Sequence, residues 1–212
     1  MRGCFVKDGF VQIRMKEGGE SQKVIATADI LLPGKHNFEN ACASAMTAYL
    51  AGVSISNIAS VLKEFKGLEH RLELVRLFNG VRYYDDSFST TPETAIAAIE
   101  AFTDPEILIL GGSGKNSNFE ELGKTIREAK NIKAIIGIGV EWPRIRATID
   151  TSQLTINLIE GCVNMEEVVR EARRVGEVGD VVILSPACAS FDMFANYKDR
   201  GEQFKQMVNF LQ

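Results

Sequence analysis

The sequence predicts an α/β protein with a mostly parallel sheet and helices on both of its faces. After Arg71, short apolar runs alternate with helical patterns, as in strands joined by crossover helices. The run Val181–Leu184 lies between the turn signal Val178–Asp180 and a series of small residues, as a buried parallel strand does. Asn79–Gly80 separates two β-type runs and predicts a type I′ hairpin. The expected arrangement is Rossmann-like.

The first part of the chain has a different pattern and predicts a smaller unit. Cys4–Leu32 alternates irregularly, which favours a short antiparallel hairpin or meander. The Ala-rich stretch Asn37–Ala51 predicts a helix, and Ser56 is the expected N-cap of a second helix that runs to Phe65. We therefore place a domain boundary near residue 70, so that a hairpin and a helical pair precede the sheet.

The second domain, 71–212, contains the alternating elements. After the hairpin they are expected as a helix at 92–102, a strand at 107–110, a helix at 119–130, a strand at 134–138, a helix around 145–149, a weak strand at 156–158, a helix at 165–175 and a strand at 181–184. The small residues after this last strand are expected to turn the chain sharply into a final helix.

Composition excludes several classes of protein. The 212 residues carry a net charge of −4 with interspersed signs, which argues against a nucleic-acid or membrane surface. Apolar runs are only strand-sized, and the first residues do not begin a signal peptide. The cysteines are too scattered for a zinc site or a disulfide framework, so we expect reduced thiols and a cytoplasmic location. They are Cys4, Cys42, Cys162 and Cys188.

Three turns after predicted strands are candidate ligand sites, because open α/β sheets bind ligands at the carboxyl ends of their strands. The first follows Asp85 and ends in Thr90 and Thr91, either of which fits the cap of a helix that starts at Pro92. The second is the glycine-rich turn Gly111–Asn116. It lacks the spacing of a P-loop, but one lysine in such a turn suits a carboxylate or phosphate.

The third turn is the small-residue stretch after Leu184, whose amides and hydroxyls could hold an anion. Together with three earlier stretches, it resembles the Mur ligase family, and specifically its glutamate-adding members. The four motifs occur in the family's order over nearly the whole chain. They are Leu32–Ala41, Phe65–Glu73, Asp85–Ser87 with Leu108–Lys115, and Leu184–Gly201.

The resemblance implies the C-terminal portion of an ATP-dependent acid–amino-acid ligase. Residues 1–70 would be the tail of the central ATPase domain, and 71–212 the C-terminal amino-acid-binding domain. The implied cofactors are ATP and Mg²⁺, and the implied substrates are UDP-N-acetylmuramoyl-L-alanine and glutamate, joined through an acyl phosphate in peptidoglycan precursor synthesis. The full-length enzyme would be a monomer. Since the sequence has no P-loop, we expect this chain to be incomplete and inactive alone.

The resemblance also assigns residues that contact the nucleotide. It places Asn40 at the adenine with His36 nearby, Arg71 on the nucleotide and Asp86 on the ribose. Structural roles compete with two of these assignments. Asn37 could cap the helix beside Asn40, and Arg71 could pair with a neighbouring glutamate.

The glutamate substrate is assigned to a second set of residues. By resemblance they are Thr90, Lys115, Ser190, Phe191 and Tyr197. The two aromatic residues could equally be part of the core. Phe88 stands where a lysine is usual in this family, so a ligase for L-glutamate or another amino acid is an alternative. A non-catalytic module that binds a small acid or a nucleotide is another. An oxidoreductase is disfavoured because no G-x-G-x-x-G follows a first strand.

Overall fold

The computed structural model describes residues 2–114, 116–149 and 156–212. The chain divides into two compact units, Met1–Gly67 and Leu68–Gln212. The boundary expected near residue 70 therefore lies close to the division between the units. No helix in the described part of the chain is both long and apolar enough to cross a membrane.

The first unit is an antiparallel meander packed against two helices. Strands β1 (Gly3–Lys7), β2 (Phe10–Arg14) and β3 (Gln22–Ala26) pair in chain order. Helices α1 (Lys35–Leu50) and α2 (Ile55–Glu64) follow. Apolar side chains from both layers form one buried cluster. Of the two predicted alternatives, hairpin or meander, the structure has the meander, and the predicted helical pair is present. The cluster contains Val11, Ile13, Val24, Ile25, Cys42, Ala45 and Ile58.

The expected N-cap of α2 is wrong by two residues. Ser54 caps the helix, in extended conformation, and its hydroxyl accepts a hydrogen bond from the Asn57 amide at 3.3 Å. Ser56 lies inside the first turn. Either serine could cap a helix on sequence alone. The amide of Asn57 has no partner within the helix, and Ser54, three residues before it, is the serine that accepts its bond.

The second unit contains a six-stranded sheet in the order β4-β5-β9-β6-β7-β8. All neighbouring strands are parallel except β4 and β5, which form a hairpin through Asn79–Gly80. Both hairpin residues have positive φ, 49° and 79°, as a type I′ turn requires. The strands are β4 (Glu73–Phe78), β5 (Val81–Asp85), β6 (Glu106–Gly111), β7 (Ile132–Ile138), β8 (Asn157–Ile159) and β9 (Val181–Leu184).

Helices cover both faces of this sheet, as predicted. In β6, the alternate residues Leu108 and Leu110 pack with one set of helices, whereas Ile107 and Ile109 pack with the other. Strands buried on both faces read as continuous apolar runs, which explains the pattern of the sequence. The first face carries α3 (Pro92–Ile99), α4 (Glu120–Glu128) and α5 (Trp142–Thr148), and the second carries α6 (Met165–Val175) and α7 (Tyr197–Asn209).

The order of the strands creates a switch in direction at β9. This strand lies between β5 and β6. The chain leaves β5 and β6 towards the face of α3 and α4, but it leaves β9 towards the opposite face, where α7 packs. Loops that diverge in this way leave a crevice at the carboxyl ends of the strands, where ligands bind in open α/β sheets.

The prediction that the chain turns sharply into a helix after β9 is wrong. Residues 185–196 form a loop, and α7 begins only at Tyr197, where the Asn196 side chain accepts bonds from the next two free amides. Within the loop, Ala187 has a left-handed backbone with φ 59°. The carbonyls of Cys188 and Ala189 bond to the Arg200 guanidinium instead of to helical amides. These interactions stabilise an irregular loop where small residues had indicated a short turn.

Candidate functional site

Three loops meet at the carboxyl ends of β5, β9 and β6, and backbone hydrogen bonds join them. The Asp86 amide donates to the Leu184 carbonyl at 2.9 Å. The Gly111 amide donates to the Pro186 carbonyl, and the Ser113 amide donates to the Ala189 carbonyl, both at 2.8 Å. The crevice therefore has a fixed backbone frame on which the polar side chains are placed.

Asp86 lies beneath this crevice, and its carboxylate is buried. One oxygen accepts from the Leu72 amide at 3.1 Å, and the other accepts from the Ser185 hydroxyl at 2.7 Å. Burial raises the pKa of Asp86 to about 7, and the nearby charge of Asp85 acts in the same direction. The carboxyl group thus ties the segment around Leu72 to the loop after β9, and both of its oxygens already have protein partners.

Asp85 and His70 form a buried pair beside it. The His70 Nδ1 and Asp85 Oδ2 atoms are 2.7 Å apart. Burial raises the pKa of Asp85, although the hydrogen bond from His70 opposes this change. Helix α7 reaches the pair through Gly201, where an added Cβ would lie 2.3 Å from His70 Nδ1. The pair therefore fixes the start of the second unit against α7.

His70, Asp85 and Glu73 place three possible metal-ligating atoms within 4.8 Å of one another. Hydrogen bonds account for this grouping. A Glu73 carboxylate oxygen accepts from the His70 amide at 3.0 Å and also lies 3.5 Å from the Lys205 ammonium. One oxygen of Glu73 and Nδ1 of His70 thus already have protein partners, so we assign no metal site to these residues.

Arg200 is a residue that the sequence reasoning missed. Its side chain is completely buried, and its hydrogen-bond partners among the described residues are oxygens of the loops after β5 and β9. Burial lowers its pKa to about 10, against the opposing effect of nearby acidic groups. Its spacing from Phe204 and Val208 places Arg200 on the buried face of α7. A cation on the apolar face of a helix was the signal that could have identified it.

Ser190 follows these carbonyls and is 1% exposed. Its hydroxyl has no hydrogen-bond partner among the described residues. The next residue, Phe191, is 72% exposed, and its amide donates to the Ser113 hydroxyl at 3.1 Å. Most buried hydroxyl groups are hydrogen-bonded, so this one is a candidate partner for a ligand or a water molecule.

Tyr197 stands at the start of α7 and forms an aromatic wall with two neighbours. Its ring packs edge-on against Phe88, with 5.2 Å between centroids, and against His70 at 6.0 Å. Phe88 is 47% exposed, so this wall is open to solvent on one side. Tyr197 is half-buried and therefore only partly a core residue.

The threonines after β5 have separate positions. Thr91 is the N-cap residue of α3, and its amide donates to the Thr94 hydroxyl at 3.4 Å. Thr90 precedes the cap and is partly exposed at the end of the β5 loop. Lys115, the other residue assigned to the amino acid, lies outside the described residues.

The residues assigned to the nucleotide fall in both units. Arg71 is exposed, and it forms no ion pair with Glu69 or Glu73, all three being described residues. In the first unit, His36 is partly buried and Asn40 is exposed, one helical turn apart on α1. Asn37 does not cap this helix: the N-cap residue is Gly34, and the Asn37 side chain amide donates to the Pro33 carbonyl at 2.6 Å.

A groove of about 760 Å³ lies in the first unit, between β1 and α1. Phe5, Val6, Phe38 and Met46 give it a largely apolar lining. Ligand sites need a few convergent polar groups for orientation. The sheet edge of the second unit meets that requirement better, because buried hydroxyls and amides converge there.

Sequence comparison identifies relatives that are longer than this chain. An UDP-N-acetylmuramoylalanine–D-glutamate ligase from Caldanaerobacter subterraneus is 42% identical over 209 residues, which is 97% of this chain and 44% of the relative. The enzyme of the same name from Acetivibrio thermocellus is 41% identical over 217 residues and is covered to 45%. The chain thus spans less than half the length of these curated relatives.

Solved structures share the fold at low sequence identity. The MurF ligase of Thermotoga maritima, solved in complex with ADP, matches 98% of this chain and 46% of its own length, with a TM-score of 0.62 and 16% identity. A pseudomurein peptide ligase type C from Methanothermus fervidus matches 98% of the chain and 41% of its own, with a TM-score of 0.63 and 11% identity. A family profile described as "Mur ligase, glutamate ligase domain" matches residues 70–188, more than half of the chain. The chain therefore belongs to the Mur ligase family.

Proposed function

We propose that the chain is the C-terminal part of an ATP-dependent ligase that adds glutamate to UDP-N-acetylmuramoyl-L-alanine. The relatives that are about 40% identical carry the name of that activity. The observation that carries the proposal is the buried, unsatisfied hydroxyl of Ser190 in the crevice where an α/β sheet binds ligands. The proposed reaction belongs to peptidoglycan precursor synthesis, and we propose a cytoplasmic enzyme that is a monomer in its full-length form.

In this proposal the second unit binds the amino acid. Lys115 supplies a cation, and the hydroxyls of Ser190 and Thr90 supply hydrogen bonds to the carboxylates of the substrate. Hydrogen bonds to charged groups contribute on the order of 1.5–3 kcal/mol each, enough to orient a small dicarboxylate. Phe191 and Tyr197 border the site and limit the access of water to the amine. The charge of Arg200 favours an anion in the crevice.

The first unit would be the end of the nucleotide-binding central domain. ATP, when bound with Mg²⁺, activates the acceptor carboxylate as an acyl phosphate that an amine can attack. Asn40 is exposed and His36 is partly buried, so we propose that a base reaches them, and the exposed guanidinium of Arg71 is suited to donate to a phosphate. Asp86 fits the ribose less well, since a hydroxyl group must share carboxylate oxygens that already accept two protein bonds.

Phe88 favours a second candidate within the same chemistry. Its exposed ring lies against Tyr197, at a position where this family usually has lysine. An aromatic ring cannot replace a cation at a carboxylate. The amino acid could therefore be L-glutamate or a related substrate whose second carboxylate is held differently.

Titration of the ¹⁵N-labelled chain with D-glutamate, L-glutamate and glutamine tests the proposal. We expect millimolar binding of one glutamate enantiomer, with amide shifts confined to the loops after β5, β6 and β9. Ser190→Ala should weaken that binding about tenfold, in line with one charge-assisted bond. Binding of no amino acid, or shifts elsewhere on the chain, would contradict the assignment.

Turnover of ATP by the isolated chain is the complementary measurement. We expect none, because a P-loop is absent from the sequence and phosphoryl transfer depends on one in this chemistry. Turnover that Lys115→Ala abolishes would show instead that the glycine-rich turn serves ATP.

A further inference from the structure

Ser113 bonds to the residues on both sides of Ser190. Its amide donates to the Ala189 carbonyl at 2.8 Å, and its hydroxyl accepts from the Phe191 amide at 3.1 Å. The contact is an antiparallel bridge between the loop after β6 and the loop after β9. Ser190, whose hydroxyl has no partner among the described residues, is thus fixed at both of its peptide bonds.

The two loops are also in close backbone contact beside this bridge. At Gly112, an added Cβ would lie 2.2 Å from the Ala189 carbonyl oxygen, so only glycine allows the approach. Nη1 of Arg200 donates to the same carbonyl at 3.2 Å. Among the described residues, the Ser113 hydroxyl alone accepts from the Phe191 amide, and Arg200 makes no bond to this half of the bridge.

We propose that Ser113 is a positioning residue for the amino-acid site, which sets the Ser190 hydroxyl against the substrate carboxylate. This inference rests on the proposed function. Ser113 does not itself touch the substrate. It keeps the peptide after Ser190 in place, and it couples that peptide to the loop after β6.

A purely structural role for Ser113 predicts something different. Loss of the hydroxyl would then lower the stability of the chain slightly and leave glutamate binding unchanged. A positioning role predicts that the Phe191 amide becomes free and that binding weakens even when the fold is intact. Two measurements on the same samples separate these roles.

The experiment compares the full chain with Ser113→Ala, Ser113→Thr and Ser117→Ala. Ser113→Ala removes the bond to the Phe191 amide but keeps the backbone bond to Ala189. Threonine retains the hydroxyl and suits an extended backbone. Ser117→Ala removes a hydroxyl from the same loop outside the bridge. Amide hydrogen exchange at Phe191 reports whether the bond to Ser113 is present. Titration with the glutamate enantiomer that the wild-type chain binds reports the affinity of the site.

We expect Ser113→Ala to speed exchange at Phe191 and to raise the dissociation constant for glutamate about three- to tenfold, as the loss of one hydrogen bond would. Ser113→Thr should restore both values, and Ser117→Ala should change neither. Unchanged exchange or unchanged affinity in Ser113→Ala would overturn the inference. The wild-type chain could bind no glutamate although Ser113→Ala speeds exchange at Phe191 as expected. That result would contradict the proposed function and the role of Ser113 in binding, but it would support the bridge between the two loops.

Discussion

The Arg200 guanidinium bonds to Ser87 twice, with Nε donating to the hydroxyl and Nη2 donating to the carbonyl, both at 2.9 Å. Its other donors reach the carbonyls of Cys188 and Ala189. One buried side chain from α7 therefore connects the loop after β5 with the loop after β9. Arg200 thus adds to the bonds that Asp86 makes between the same two loops, and all of its partners among the described residues are neutral oxygens.

Replacing Arg200 with methionine should destabilise the second unit by about 3 kcal/mol or more, because the buried carbonyls of Ser87 and Cys188 lose their bonds to a charged donor at once. Chemical denaturation monitored by circular dichroism measures the change. Arg174→Met, at an exposed residue paired with Glu171 on α6, is the matched control and should cost less than about 1 kcal/mol. Equal effects of the two changes would show that Arg200 contributes no special support.

Glu106 predicts a dependence of stability on pH. Its side chain is fully buried at the start of β6, where Asn131 donates to one oxygen and the other has no partner among the described residues. Burial raises its pKa from 4.5 to about 8. Because the folded pKa is the higher one, this group stabilises the fold fully below pH 4.5, and that contribution is lost as the pH rises through 8.

Glu106→Gln should therefore flatten the decline in the free energy of unfolding between pH 4.5 and 8. At alkaline pH the variant should be more stable than the wild type, since it buries no charge, and in acid the two should be similar. Urea unfolding at about pH 5 and about pH 8.5 measures this difference. Glu128→Gln, at an exposed position on α4, should leave the profile unchanged. A decline in Glu106→Gln as steep as that of the wild type would contradict the prediction.

The sequence predicts the regular elements of the sheet well, because their patterns are local. Helix α6 and strand β9 lie where the pattern of Met165–Val175 and Val181–Leu184 places them. Helix α3 ends at Ile99, three residues before the expected Phe102, because helix ends depend on contacts that periodicity does not encode. The hairpin at Asn79–Gly80 follows from backbone conformations that few residues other than glycine and asparagine adopt.

The candidate site was less predictable, because its geometry comes from contacts far apart in sequence. The bonds between Arg200 and Ser87 span 113 positions, and the bond between Asp86 and Ser185 spans 99. No local pattern reports such pairs. The expected turn after β9 failed for the same reason, since its carbonyls bond to a side chain of α7 that the pattern of small residues cannot reveal. The roles of the individual site residues remain predictions.

Asp86 should also make stability dependent on pH, in a lower range. Its pKa rises from 3.8 to about 7 on folding, so its contribution is complete below pH 3.8 and is lost as the pH rises through 7. Asp86→Asn should remove this part of the decline and keep the fold. The amide oxygen can still accept from Leu72, and the Ser185 hydroxyl can rotate to accept from the new amide group. Unfolding of the variant at about pH 5 and about pH 7.5 tests this. If the free energy of unfolding of the variant declined with pH as steeply as that of the wild type, titration of other groups would have to cause the decline.

Gly201→Ala should disrupt the buried pair of His70 and Asp85. The new Cβ would lie 2.3 Å from His70 Nδ1 and 2.7 Å from the Asp85 carboxylate, so the side chains must move apart or α7 must shift. Overpacking of this kind costs about 1–3 kcal/mol, which outweighs the gain of up to about 1 kcal/mol from alanine inside a helix. Gln206→Ala, on the exposed side of the same helix, should be neutral or slightly stabilising. Thermal or urea unfolding of both variants gives the comparison, and the imidazole nitrogen shifts of His70 report the pair directly. A stabilised Gly201→Ala variant with unchanged His70 shifts would show that α7 does not pack against the pair as described.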